Sequence, residues 1–130
     1  MSKVERFEDL RCWQEARSLV KEIYLIAEYG KLARDFDTRS QLRRAALSAN
    51  NIAEGFGKYS SKEFIRYLDT ASNSASEVKS ILYVLLDLHY LEVDKIIALQ
   101  NKADEVRALN LALIRYLVKL ETQTLKHPNT

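Results

Sequence analysis

The run Gln41-Leu-Arg-Arg-Ala-Ala-Leu-Ser-Ala-Asn-Asn-Ile-Ala-Glu-Gly-Phe-Gly57 decides how the rest of the chain reads. Its apolar residues fall at Leu42, Ala45, Ala49, Ile52 and Phe56, a 3-4-3-4 spacing that lines one face of an α-helix. Ala46 and Ala53 widen that face. A face built mostly of alanine lets neighbouring helices approach closely, which places this helix at the centre of a packed bundle. The same run carries paired arginines (Arg43, Arg44), paired asparagines (Asn50, Asn51) and Glu54. It closes on Gly55 and Gly57, two of only three glycines in the chain, where a left-handed helix C-cap is expected.

Outward from this run, the bulk properties agree with a helical protein. One hundred and thirty residues suit a single domain over 1–130. A hydrophobic fraction of 47% with 29% charged residues excludes a disordered chain. Three glycines and one proline, Pro128, are too few for hairpins or long loops, so the chain must be all-α. The net charge of +2 is mild and neither requires nor excludes a nucleic acid. A single cysteine, Cys12, forms no internal disulfide and is expected to pack as a small hydrophobe. No apolar run reaches membrane-spanning length, and the first residues lack the apolar core of a signal peptide. The expected compartment is cytoplasmic, with no membrane partner.

Four helices follow from the periodicity. The first runs over roughly 9–28 with Trp13, Ala16, Val20, Ile23 and Ala27 as its stripe, and acids near Glu8 or Asp9 at its start. Residues 30–36 read as a short polar connection, with Asp35 or Asp37 capping the second helix, roughly 36–56. Ser60 and Glu63 have the spacing of a capping box, opening a third helix over 61–89. The small residues from Ala71 to Ser76 should face the alanines of the second helix. A fourth helix, 94–124, carries Ile96, Leu99, Ala103, Val106, Asn110, Leu113, Leu117 and Leu120 on one seam. Asn110 on such a seam fixes register at some cost in stability. Residues 1–7 and 125–130 are expected to fray. Short links make this an antiparallel, up-down-up-down, left-handed four-helix bundle. Tyr24, Tyr29, Phe56, Tyr59, Tyr67, Tyr83, Tyr90 and Tyr116 are too many rings for one thin core, which suits a homo-oligomer.

Chemistry-bearing patterns are scarce. His89 and His127 lie at a helix end and in the tail, and neither joins a cluster at metal-ligand spacing. There is no Glu-x-x-His pair, phosphate-cradling glycine loop, nucleophile elbow or paired-carboxylate signature. The sequence therefore points to a protein that is not an enzyme, with no metal and no cofactor. Arg39 and Arg43 stand at i, i+4 with Arg44 beside them, an unfavourable arrangement unless an anion answers it. The anion is either a carboxylate, from Glu54, Glu77 or Asp69 of this or a neighbouring subunit, or a nucleic-acid phosphate. Lys58, Lys62 and Arg66 extend the basic tract, and Glu63 and Asp69 offset part of it. Gln41, Asn51, Glu54, Gly55 and Glu77 form a polar motif read as structural. Within it, Asn51 and Glu54 are expected to satisfy backbone groups or an arginine at the helix end.

Read together, Gln41-Leu-Arg-Arg-Ala45, Ser48, Asn51-Ile-Ala-Glu-Gly55 and Ser61-Lys-Glu-Phe64 resemble the 23S ribosomal RNA intervening-sequence proteins. The Phe7-Glu-Asp-Leu10 to Trp13 start and the Ala71 to Glu77 segment extend the resemblance over nearly the whole chain. The family usually has a proline and a glutamate where this chain has Gly30-Lys-Leu-Ala-Arg34, and a glycine where Asn73 stands. The resemblance implies a four-helix bundle without enzymatic activity. It reaches to the accessory protein of diversity-generating retroelements, which implies a homopentamer that binds RNA or another nucleic acid and a reverse-transcriptase-type partner. The alternative reading is a scaffold that binds only protein, with the arginines serving the subunit seam.

Overall fold

A computed structural model describes residues 4–58 and 60–126, with side chains as far as residue 123. Among the described residues a 3-10 turn, Phe7–Asp9, precedes α1 (Arg11–Ile26), α2 (Gly30–Arg34), α3 (Phe36–Ala49), α4 (Ala53–Phe56), α5 (Ser61–Asp87) and α6 (Val93–Lys126). The long helices α1, α3, α5 and α6 form a ring in which each packs on two neighbours. Cross-links fix their directions. Lys95–Glu22, Lys102–Glu15 and Arg11–Glu105 pair α6 with α1, the numbers rising on one helix as they fall on the other. The chain is thus an all-α bundle with neighbouring helices antiparallel, as the periodicity predicts.

The core is where the apolar faces meet. Leu19, Ile23 and Ile26 of α1, Leu42 of α3, Leu68, Leu82 and Leu85 of α5, and Ile96 and Val106 of α6 are all closed to solvent. On α1 Ala16 and Ile23 of the expected stripe are fully buried, as is Ala27 just after the helix, and Cys12, Leu19 and Ile26 complete the buried face. Trp13 and Val20 sit at its margin, with Trp13 edge-on to Phe7 at 5.2 Å. Burial pushes the Cys12 thiol up to about 11, so it stays a neutral core residue at physiological pH. The small residues of α3 and α5 do pack together, closely enough for the Ser48 and Ser74 hydroxyls to hydrogen-bond at 2.7 Å. Ser72, also buried, returns its hydroxyl to the Leu68 carbonyl one turn back.

Three expectations need correction. The second helix is not continuous over 36–56. It breaks at Asn50–Ile52, where the amides of Asn50 and Asn51 turn to carbonyls three residues back. Consecutive asparagines favour turns over helix, and Ile52 remains buried, so the apolar phase survives the break. Gly55 is no left-handed cap. It lies inside α4, buried, where a Cβ would stand 2.5 Å from the Tyr67 Cβ, so close approach rather than dihedral freedom requires it. Gly57 likewise has an ordinary φ of −80°. The polar connection at 30–36 is instead the short α2, anchored by buried Leu32 after Gly30 turns the chain at φ 68°.

Helix ends are met by specific groups. The Asp35 carboxylate accepts from the Thr38 amide (3.2 Å) and from the Tyr90 hydroxyl (2.9 Å), capping α3. These bonds, the amide's first, hold its carboxyl below the usual range, so the capped form persists until pH falls through that lowered value. Ser60 Oγ accepts from the Glu63 amide, while the Glu63 carboxylate turns outward to Arg66. At the end of α5 the Tyr90 amide bonds Leu85 and the His89 amide bonds Leu86, with His89 at φ 57°. That is a Schellman closure with histidine in the glycine position. His89→Gly should therefore stabilise the fold by about 1 kcal/mol, read as a higher urea midpoint at unchanged slope.

The seam of α6 stops short of its expected end. Burial is complete from Ile96 to Asn110, partial at Leu113 and Leu117, and Leu120 is 39% exposed. Arg11, the first residue of α1, already pairs with Glu105. About six turns of α6 therefore run on with no α1 beside them. Tyr59 and the tail from His127 lie outside the described residues.

Candidate nucleic-acid interface

The α3 helix sets Arg39 and Arg43 one turn apart, both half-buried. The Arg43 guanidinium lies over the Tyr24 ring of α1, 4.6 Å from its centroid. That stacking fixes the group while leaving its N–H edges available. Arg39 is half-buried, and its Nε–H is shut from solvent with no acceptor among the described residues. Arg44 is exposed. None of the three pairs with a carboxylate among the described residues. Glu54, Asp69 and Glu77 are exposed and pair with no arginine among the described residues. Gln41 and Asn51 are exposed as well.

The other cations stand elsewhere. Lys58 lies 5.8 Å from the Tyr67 ring centroid, Arg66 pairs with Glu63 at 3.0 Å, and Lys62 is exposed. Arg66 and Tyr67 border a polar cleft of about 200 Å³ with Ser48, Asn51, Glu63 and Thr70. The Ser48–Ser74 bond gives the register between antiparallel α3 and α5. Arg39 lies nine residues from it in one direction and Arg66 eight in the other, which separates them by roughly 25 Å along the bundle. The six cations are therefore two groups and not one tract.

Around the α3 group the charge is locally concentrated. From residue 31 to residue 44 there are five cations and two anions, an excess of three against two for the whole chain. Phe36, Asp37, Arg39, Ser40 and Arg43 line an open recess of about 370 Å³. Phe36 stands on its rim, 72% exposed, the most exposed of the large apolar side chains described. This residue owes its outward position to helical phase. It lies nine residues before buried Ala45, two and a half turns, and so on the opposite side of the helix. Among the described residues no group of His, Cys, Asp and Glu is placed to hold a metal ion. No described helix is long and apolar enough to cross a membrane.

The family described as 23S rRNA-intervening sequence protein matches residues 8–112 of the chain. A search of curated proteins returns no match. Among solved structures, the chain is similar to a protein of unknown function of the S23 ribosomal protein family from Bacteroides thetaiotaomicron. The TM-score is 0.72 at 21% identity, over 79% of this chain and 97% of the other. At that identity the likeness is one of fold.

Proposed function

The chain belongs to the 23S rRNA-intervening sequence protein family, and on that premise we propose a non-enzymatic, cytoplasmic, self-associating bundle that binds RNA or another nucleic acid through its two groups of cations. The observation that carries this reading is the set Arg39, Arg43 and Arg44, like charges on one helix that no carboxylate answers among the described residues. Arginine's planar fork suits a phosphate at such a place. Self-association is supported by Tyr29, Tyr83 and Ile97, each about half exposed. A closed ring of five follows from the resemblance, and such a ring would repeat each weak phosphate contact around its axis.

A second reading is favoured by the exposed and unpaired Glu54, Asp69 and Glu77. In a scaffold of protein partners alone, those carboxylates would meet the arginines across a subunit seam. Fluorescence anisotropy of a labelled RNA oligonucleotide over a salt series, with light scattering on the same samples, separates the two. Wild type should bind at low salt and scatter above the 15.0 kDa monomer. R39Q/R43Q should flatten the plot of log affinity against log salt by roughly 1.4, for two lost phosphate contacts on a single strand. An unchanged slope with a dissociated oligomer establishes the scaffold instead.

A further inference from the structure

We propose that Phe36, Arg39 and Arg43 form a nucleotide-binding site for single-stranded nucleic acid, the ring stacking an unpaired base while the guanidiniums hold the adjoining phosphates. This rests on the nucleic-acid reading above and names the form of ligand the α3 group takes.

The ring is in the right state for that task. It stands on the rim of an open recess, in water, yet its backbone is held at the first position of a capped helix. Asp35 caps that helix and is tied in turn to Tyr90 of the α5–α6 link, so the platform sits on a rigid element. Arg39 follows three residues on and Arg43 four further, which puts aromatic and cations in a row along one helix. Arg43 is already immobilised on Tyr24, so little conformational freedom is lost when a phosphate arrives. Arg39 carries an unmet Nε donor, which a shift of the guanidinium onto an anion relieves. Asp37 on the same rim offsets one charge, and the local excess remains three.

A single exposed ring beside arginines matches an unpaired strand and not a duplex. Bases in a duplex are stacked on one another, and their flat faces are unavailable. Unpaired bases offer those faces to any aromatic side chain, with little regard for sequence.

The test uses the full chain, a labelled ten-nucleotide RNA, and the same RNA annealed to its complement. Wild type should bind the single strand more tightly than the duplex. Phe36→Ala should weaken single-strand binding about tenfold, leave the salt slope unchanged and leave duplex binding unchanged. Phe36→Trp should restore the single-strand affinity. Because the ring is exposed, both variants should melt as wild type does. If Phe36→Ala binds the single strand as wild type while R39Q/R43Q still weakens it, the stacking site is overturned and the broader reading stands. If wild type binds neither RNA, both fall. If Phe36→Ala dissociates the oligomer and leaves RNA affinity intact, the face is a protein interface and the site is overturned.

Discussion

Gly55→Ala is expected to cost about 3 kcal/mol and to lower the melting temperature by about 12 °C. The added Cβ would stand 2.5 Å from the Tyr67 Cβ, 2.7 Å from its Cγ and 2.9 Å from its Cδ2. The nearest of these atoms belongs to the stiff root of a side chain, so no rotamer change clears it. Relief requires α4 to move off α5, which opens the contact between Phe56 and Phe64, now edge-on at 5.7 Å. Gly57→Ala is the internal control. Its Cβ would meet nothing closer than the Glu54 carbonyl at 3.7 Å, and its φ of −80° suits any residue. It should change stability by less than about 0.5 kcal/mol. Thermal melts of the two variants decide the matter, since a glycine needed for a left-handed cap would make Gly57 the costly position. An unaltered melting temperature for Gly55→Ala would falsify the close-contact account.

The second large effect has the opposite sign. Asn110 is closed to solvent on α6, and among the described residues neither its Nδ2 nor its Oδ1 has a hydrogen-bond partner. It continues the apolar seam after Val106 and before Leu113. An unmet buried amide of this kind costs about 1–3 kcal/mol. Asn110→Leu should remove that penalty and extend the seam, with a gain of about 2 kcal/mol and a melting temperature raised by about 8 °C. A lower melting temperature would mean that the amide is hydrogen-bonded, for instance to an enclosed water, and would sink the argument.

How far the sequence speaks depends on which physical signal each residue carries. The core faces of α3 and α5 were legible because alanine and serine recur at helical spacing, and spacing survives into packing. The break at Asn50–Ile52 was hidden by the same signal, since Ile52 keeps its phase across the turn. Gly55 misled because its two possible reasons, dihedral freedom and close approach, look alike without the partner. Only the position of Tyr67 separates them. The basic residues could be named but not grouped, because grouping needs the register between α3 and α5, which the Ser48–Ser74 hydrogen bond sets. Phe36 carries an outward phase in the sequence, but its place beside the arginines needs the recess that the folded helix forms.

The overrun of α6 past the start of α1 has a consequence for how the molecule opens. Between Ile96 and Val106 the seam side chains of α6 are closed to solvent, so the amides of this stretch should exchange with solvent only when much of the bundle unfolds. Beyond Asn110 the same helix is held on fewer sides, and its opening free energy declines turn by turn toward that of a frayed end. One continuous helix should thus behave as two segments, an inner part that shares the global stability and an outer part that opens alone. A molecule that settles on the outer part can reshape it without disturbing the core. The energy of that contact would then appear as added order in the last turns of α6 and not as a shift in the unfolding of the whole.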